Sequence, residues 1–388
     1  MTQRDHEGPS VWLVMILLWG SGLYLRLTVM VAPPLAPVIA NDLGLGQAAT
    51  GSLTTLPILM LAVAAIAASY TISRIGARNT LAGALVLIAF TSALRGAGEI
   101  PLLFAATAAM GVAIAAVQPA LPTLLTQWCP QRIAFGTAVY MNGMLMGEVL
   151  GSTLTIPVML PLAGGDWRLA LLYWSAPALI PALALMTLVR SPATDHEDTG
   201  SWMPEWRRPL VWRLGALLGA SGSLFFGTNA YLGSVLTGRG ETELLAAGLI
   251  LLNGTQLLAS LLMFWLASRW TGRPTPLITL MIGGVGFLTV FVLVPGVPGL
   301  LALAPAGLAA GMTLILMVGL PPLYTRGNAT AALAAGMFGI GAVINFVVPL
   351  GGGFIADRMG VPGMAIIPIL IYSALVLPLA RGLPRVPA

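Results

Sequence analysis

The chain is a succession of long apolar runs separated by short polar breaks. An α-helix needs about 20 mainly apolar residues to cross a bilayer. Runs of that kind recur twelve times, at 11–40, 50–72, 79–97, 101–127, 135–160, 168–190, 210–237, 244–267, 275–294, 299–323, 329–356 and 362–381. The breaks are charged or rich in Gly and Pro, and most are so short that consecutive spans must run antiparallel. Residues 191–209 are the exception: this is the longest and most charged break, and it falls mid-chain. The pattern predicts an all-α integral membrane protein of twelve transmembrane helices. It divides into an N-terminal six-helix bundle (1–190), a linker (191–209) and a C-terminal six-helix bundle (210–388).

Composition excludes the soluble alternatives. Only 8% of residues are charged and 57% are hydrophobic, where soluble domains run near a quarter charged; the mean hydropathy is +0.92. The net charge of +5 does not point to nucleic acid, because the placement of the basic residues answers another question. All 18 are Arg, a bias that reads as base composition. An even span count puts both termini on one side. That side collects Arg4, Arg74, Arg78, Arg132, Arg190, Arg207, Arg208, Arg213, Arg269, Arg273, Arg326, Arg381 and Arg385, against Arg95, Arg168, Arg239 and Arg358 opposite. Positive residues favour the cytoplasmic side, so both termini are expected in the cytoplasm and the chain in the inner (plasma) membrane. The first apolar run is far longer than the core of a cleavable signal, so it is expected to stay as a span.

The two halves echo each other weakly. Ser73-Arg74-Ile75-Gly76-Ala77-Arg78 follows the second span and Ser268-Arg269-Trp270-Thr271-Gly272-Arg273 the eighth. Pro122 before Gly136 recurs as Pro322 before Gly336. Parallel six-helix repeats with a solute site at the midplane are a plan of many secondary transporters.

These features make the sequence resemble the major facilitator superfamily. Its loop after the second span, Gly-x-x-x-Asp-Arg-x-Gly-x-Arg, reads here Ser69-x-x-x-Ser73-Arg74-x-Gly76-x-Arg78. The resemblance implies a conformational gating role for Ser73, Arg74, Gly76 and Arg78, although Ser73 cannot carry the charge of the missing Asp. A closer match in letters, Gly353-x-x-x-Asp357-Arg358-x-Gly360, follows the eleventh span on the opposite face and is assigned no gating role. Within the superfamily, Leu25-Arg26, Pro34-Leu35-x-x-x-Ile39, Asp42-Leu43-Gly44-Leu45 and Gly51-x-Leu53-Thr54-Thr55-Leu56-Pro57 resemble the cyanate permease / nitroimidazole transporter (CynX/NimT) family. That resemblance implies a permease for small solutes, cyanate-type anions or small heteroaromatic compounds among them.

The residues themselves point the same way. Arg26 lies fifteen residues past Val11, about 23 Å along a helix rising about 1.5 Å per residue, and so near mid-bilayer. A guanidinium there remains charged and costs at least about 2.5 kcal/mol. It must therefore meet water, a carboxylate or an anionic solute. Glu148 is the one acid well inside a span. It reads as a proton-coupling group, as a static partner of Arg26, or as a side chain open to an aqueous cavity. Asn253, Gln256 and Ser260 form a polar stripe on the eighth span; with Gln118, Asn142, Asn229 and Asn345 they suggest a polar substrate-binding cavity. Trp19 shares the Arg26 face and is a candidate stacking residue. Gly136, Gly143, Gly147 and Gly151 mark the fifth span as a packing and rocking surface. Prolines at 33, 34, 37, 321 and 322 should kink their spans.

The expectation is a secondary active permease moving a small anionic solute by alternating access, with proton coupling, in a monomer. Efflux of small aromatic or nitro-heteroaromatic compounds by proton antiport is the alternative. An enzyme would need a cluster of acids or histidines at a membrane face, and His6 and His196 both fall in polar segments outside the apolar runs. One cysteine, Cys129, leaves no internal disulfide or multi-cysteine metal site. No phosphate-cradling motif is present, and no catalytic residue, metal or cofactor is expected. The partners expected are a small solute, protons and the lipid bilayer.

Overall fold

The computed structural model describes residues 10–129, 132–188, 206–325 and 328–384. Every regular element among them is helical. The helices are α1 (Val11–Leu43), α2 (47–75), α3 (77–94), α4 (Ile100–Trp128), α5 (133–162), α6 (Trp167–Leu188), α7 (Pro209–Gly238), α8 (Leu245–Trp270), α9 (Pro274–Leu293), α10 (Gly296–Val318), α11 (Asn328–Met359) and α12 (Pro362–Arg381). Eleven are long and apolar enough to cross a membrane. The twelfth, α5, qualifies across a 55° bend between Thr153 and Thr155. Most of the linker expected at 191–209 lies outside the described residues.

Boundaries differ from the sequence expectation for physical reasons. The polar segment 73–78 does not form a loop: α2 and α3 run on from one another, and only Gly76 (φ 81°, ψ 157°) leaves helical geometry. That conformation is open to glycine at little cost and strained for other residues. Helix α1 runs to Leu43, three residues past the expected end, and stops at Gly44 in the left-handed conformation (φ 65°). It is also broken, into Val11–Leu23, Leu27–Met30 and Ala32–Leu43. Pro33 and Pro34 cannot donate to the carbonyls four residues earlier, which weakens the helix upstream of them.

The glycines of α5 explain how that broken helix is held. A methyl added at Gly143, Gly147 or Gly151 would strike the carbonyl oxygens of Trp19, Leu23 and Leu27 respectively, each four residues from the next. Small residues at four-residue spacing let two helix backbones meet. Both helices belong to the same half, so this surface is packing inside a bundle and not the rocking surface expected. On the outside of the molecule, Trp12, Trp265 and Leu375 are each at least 68% exposed. Apolar side chains of that size facing outward are what a lipid environment stabilises.

Candidate functional site

Between the halves lies a cavity of about 310 Å³. Its polar lining includes Arg26 of α1, Gln118 of α4, Glu148 of α5, Ser221 of α7, Gln256 of α8 and Asn345 of α11. Five of the nine residues expected from sequence to bind the solute or couple protons thus meet in one place. The other four, Trp19, Asn142, Asn229 and Asn253, lie outside the lining. Trp19 donates its indole N–H to Asn142 Oδ1 at 2.9 Å, tying α1 to α5. Asn253 donates to Asn229 Oδ1 at 2.8 Å, and Asn229 donates to the Phe225 carbonyl at 3.0 Å. Both of those asparagines are fully buried and join α8 to α7.

Arg26 sits at the break in α1 with non-helical torsions (φ −127°, ψ −31°). The break is held from α3. Arg95, counted from the sequence among the arginines on the side opposite the termini, is buried at 2% exposure. Its Nη2 donates to the Thr28 carbonyl and to Ser92 Oγ, both at 2.9 Å. It ties the Leu27–Met30 segment of α1 to the end of α3. The signal in the sequence was an Arg closing an apolar span beside Ser92.

The Arg26 guanidinium makes no hydrogen bond and no contact ion pair with any described residue. Glu148, buried in the same cavity wall, is close enough for the two charges to interact through space, but no nitrogen–oxygen contact joins them. Instead the guanidinium carbon lies 4.6 Å above the ring centre of Phe226 on α7. Phe225 and Phe226 also line the cavity, and sequence reasoning passed over both because they resemble any apolar residue of a span. Gln256 donates to the Gly307 carbonyl at 3.1 Å, and Asn345 accepts from Ser223 at 3.4 Å.

Of the residues expected to gate, Arg74 donates to Tyr70 at 3.1 Å and stacks on its ring. Arg78 donates to the carbonyls of Leu185 and Met186 at the end of α6. Gly76 is the backbone break already described, and the Ser73 side chain lies outside the described residues. Asp357, assigned no role from sequence, joins the two halves. Its carboxylate accepts from the backbone N–H groups of Gln47 (2.5 Å) and Ala48 (3.0 Å) at the start of α2.

Twelve helices able to span a membrane, gathered around a shared polar cavity, are the build of a multi-pass membrane transport protein. Residues 18–332 match the family model for the Major Facilitator Superfamily, and the chain belongs to that superfamily. The relatives it matches are named as transporters. Among curated relatives it is 32% identical over 228 residues to the 2-nitroimidazole transporter of Escherichia coli (strain K12), a match covering 58% of each chain. It is 25% identical over 352 residues, 90% of each chain, to the cyanate transport protein CynX of the same organism. The match to the uncharacterized transporter YycB of Bacillus subtilis (strain 168), 27% identical, covers 60% of this chain and 57% of that one. The chain thus spans little more than half the length of two of these relatives. In fold it is similar to a bacterial homologue of the human lysosomal transporter Spinster in its inward-facing, unoccupied conformation (TM-score 0.74, 15% identity, 96% and 98% of the two chains). A D-xylose–proton symporter is similar to the same degree (TM-score 0.72, 15% identity, 97% and 98%).

Proposed function

We propose that the chain is a secondary active permease for a small anionic solute, cyanate or a small carboxylate, anchored on Arg26 and coupled to protons through Glu148. The observation that carries this reading is the guanidinium of Arg26. It faces the cavity with no described hydrogen-bond acceptor and no contact carboxylate. A permanent cation in the middle of an apolar span is costly, and an anion supplies the missing partner with charge-assisted, bidentate hydrogen bonds. Glu148 shares the cavity. Its ionised form competes with the anion for the field of Arg26, and its protonated form does not, which links solute binding to a proton.

The distribution of Arg supports cytoplasmic termini. With that orientation, Asp357 closes the outer end, and the cavity belongs to the cytoplasm-facing half of the transport cycle. The account requires only one copy of the chain. Efflux of small aromatic or nitro-heteroaromatic compounds is the second reading; the aromatic and aliphatic cavity wall and the match to the nitroimidazole transporter favour it.

The test is uptake into proteoliposomes. The account expects anion uptake driven by an inward proton gradient and abolished in Arg26→Ala. Glu148→Gln should lose gradient-driven uptake while keeping exchange of solute for solute. Undiminished anion uptake in Arg26→Ala would refute the anion reading, and gradient-driven export of neutral aromatics would put efflux in its place.

A further inference from the structure

Helix α7 does not pass the cavity as a regular α-helix. At Ser223–Gly227 it takes a π-helical turn, a rare geometry that recurs at functional sites. Two consecutive residues of this turn, Phe225 and Phe226, both line the cavity. Their rings meet edge to face, with centroids 5.1 Å apart. The turn is pinned from behind, because the Asn229 amide holds the Phe225 carbonyl and Asn253 of α8 holds Asn229.

The Arg26 guanidinium carbon lies over the Phe226 ring, 4.6 Å from its centre. The five N–H groups of a guanidinium lie in its plane and point outward from its edges. The ring takes one side of the guanidinium, and its N–H groups, which meet no acceptor among the described residues, are left for a ligand. The arrangement selects for shape as well as charge. A carboxylate matches a fixed, planar fork with two parallel hydrogen bonds. A linear anion offers one end to it, and a tetrahedral one leaves oxygens directed at an apolar wall. Volume narrows the choice further. The cavity of about 310 Å³ equals roughly ten waters at about 30 Å³ each, far more than a triatomic anion fills. Beyond the fork its wall includes Phe225, Phe338, Leu218 and Leu314, suited to a flat apolar body.

We propose that Phe226 is a specificity-determining residue of this site and that the solute is a flat organic carboxylate with an unsaturated or aromatic body. The carboxylate takes the edge of the Arg26 fork and the body lies along the aromatic wall. This rests on the anion reading of Arg26 and chooses among the anions it allows.

The experiment is titration of the full-length protein in detergent with benzoate, formate, cyanate and phosphate, for the wild type and for Phe226→Leu, Phe226→Tyr and Arg26→Ala. The wild type is expected to bind benzoate at least tenfold more tightly than cyanate or phosphate. Phe226→Leu should lose about tenfold in benzoate affinity and less than twofold for formate and cyanate, and Phe226→Tyr should restore benzoate binding. An equal loss for every anion in Phe226→Leu would overturn the proposal, leaving Phe226 a packing residue while the anion reading stood. Benzoate binding that survives Arg26→Ala would instead refute the anion reading. Should the leucine variant not fold, the wild-type ranking decides: benzoate first supports the proposal, and cyanate or phosphate first overturns it.

Discussion

The two ends of the bundle use their polar residues differently. At the end away from the termini, carboxylates reach between elements. Asp42 pairs with Arg168 at 2.8 Å and accepts from the Trp167 indole at 3.1 Å, joining α1 to α6. Glu241 accepts from the Gly296 backbone at 2.7 Å, and Asp357 spans from one half to the other. At the terminus-bearing end Arg74 meets a phenol, and Arg78 and Arg213 meet carbonyls, of their own half. Arg78 holds the end of α6, and Arg213 donates to Gly382 at 2.7 Å. Contacts inside a half keep a rigid body rigid; contacts across the halves decide which end is shut.

Packing at the far end repeats the lesson. Tyr231 of α7 is fully buried and donates to the Pro349 carbonyl of α11 at 2.7 Å. Its ring fills the space that Gly51 of α2 leaves open, and its hydroxyl lies where Gly353 of α11 approaches the Ala48 backbone. One aromatic side chain and two glycines thus form the seam beside Asp357. Ser73, near the end of α2, stands where the superfamily motif has its acid, while an Asp-Arg pair stands near the end of α11.

Four substitutions test this contrast, each read by the separation of spin labels at Asn41 and Thr237, one per half at the far end, and by melting temperature. The largest effect is expected from Gly51→Leu. Its side chain collides with the Tyr231 ring, and overpacking costs about 1–3 kcal/mol. The label distance should lengthen and transport should fall with it. Arg78→Ala removes donors from two carbonyls at a helix end, about 1–3 kcal/mol if they stay unsatisfied. It should lower the melting temperature while leaving the label distance unchanged, because the contact lies inside one half. Tyr231→Phe deletes one hydrogen bond, about 0.5–1.5 kcal/mol, and should add a minor long-distance population. Asp357→Asn is the smallest, about 0.3–1 kcal/mol for a charge at a helix N-terminus. It should broaden the distance distribution, with an effect that high salt diminishes in the wild type. A distance shift in Arg78→Ala, or none in Gly51→Leu, would break the distinction between the ends.

Much of the architecture was legible in the sequence because span length, antiparallel connection and Arg placement are set by the bilayer. Arg26 and Glu148 were visible for the same reason, being charges where charge is expensive. The amides were less so. Gln118, Gln256 and Asn345 reached the cavity lining while Asn229 and Asn253 bonded each other, since a polar residue in a span serves equally as glue. The Phe226 contact with Arg26 was invisible because it depends on the relation of two helices distant in sequence. Asp357 was placed on the correct face but given no role, because its partners are backbone N–H groups that leave no letter in the sequence.

The central claim is that Arg26 is an anion anchor, and thermal stabilisation of the purified protein tests it most directly. A ligand at 100 times its dissociation constant should add about 2.7 kcal/mol. The account predicts that small carboxylates stabilise the wild type, more weakly Arg26→Lys, which keeps the charge but loses the fork, and not Arg26→Ala. Stabilisation by neutral aromatics alone, equal in all three proteins, would contradict it.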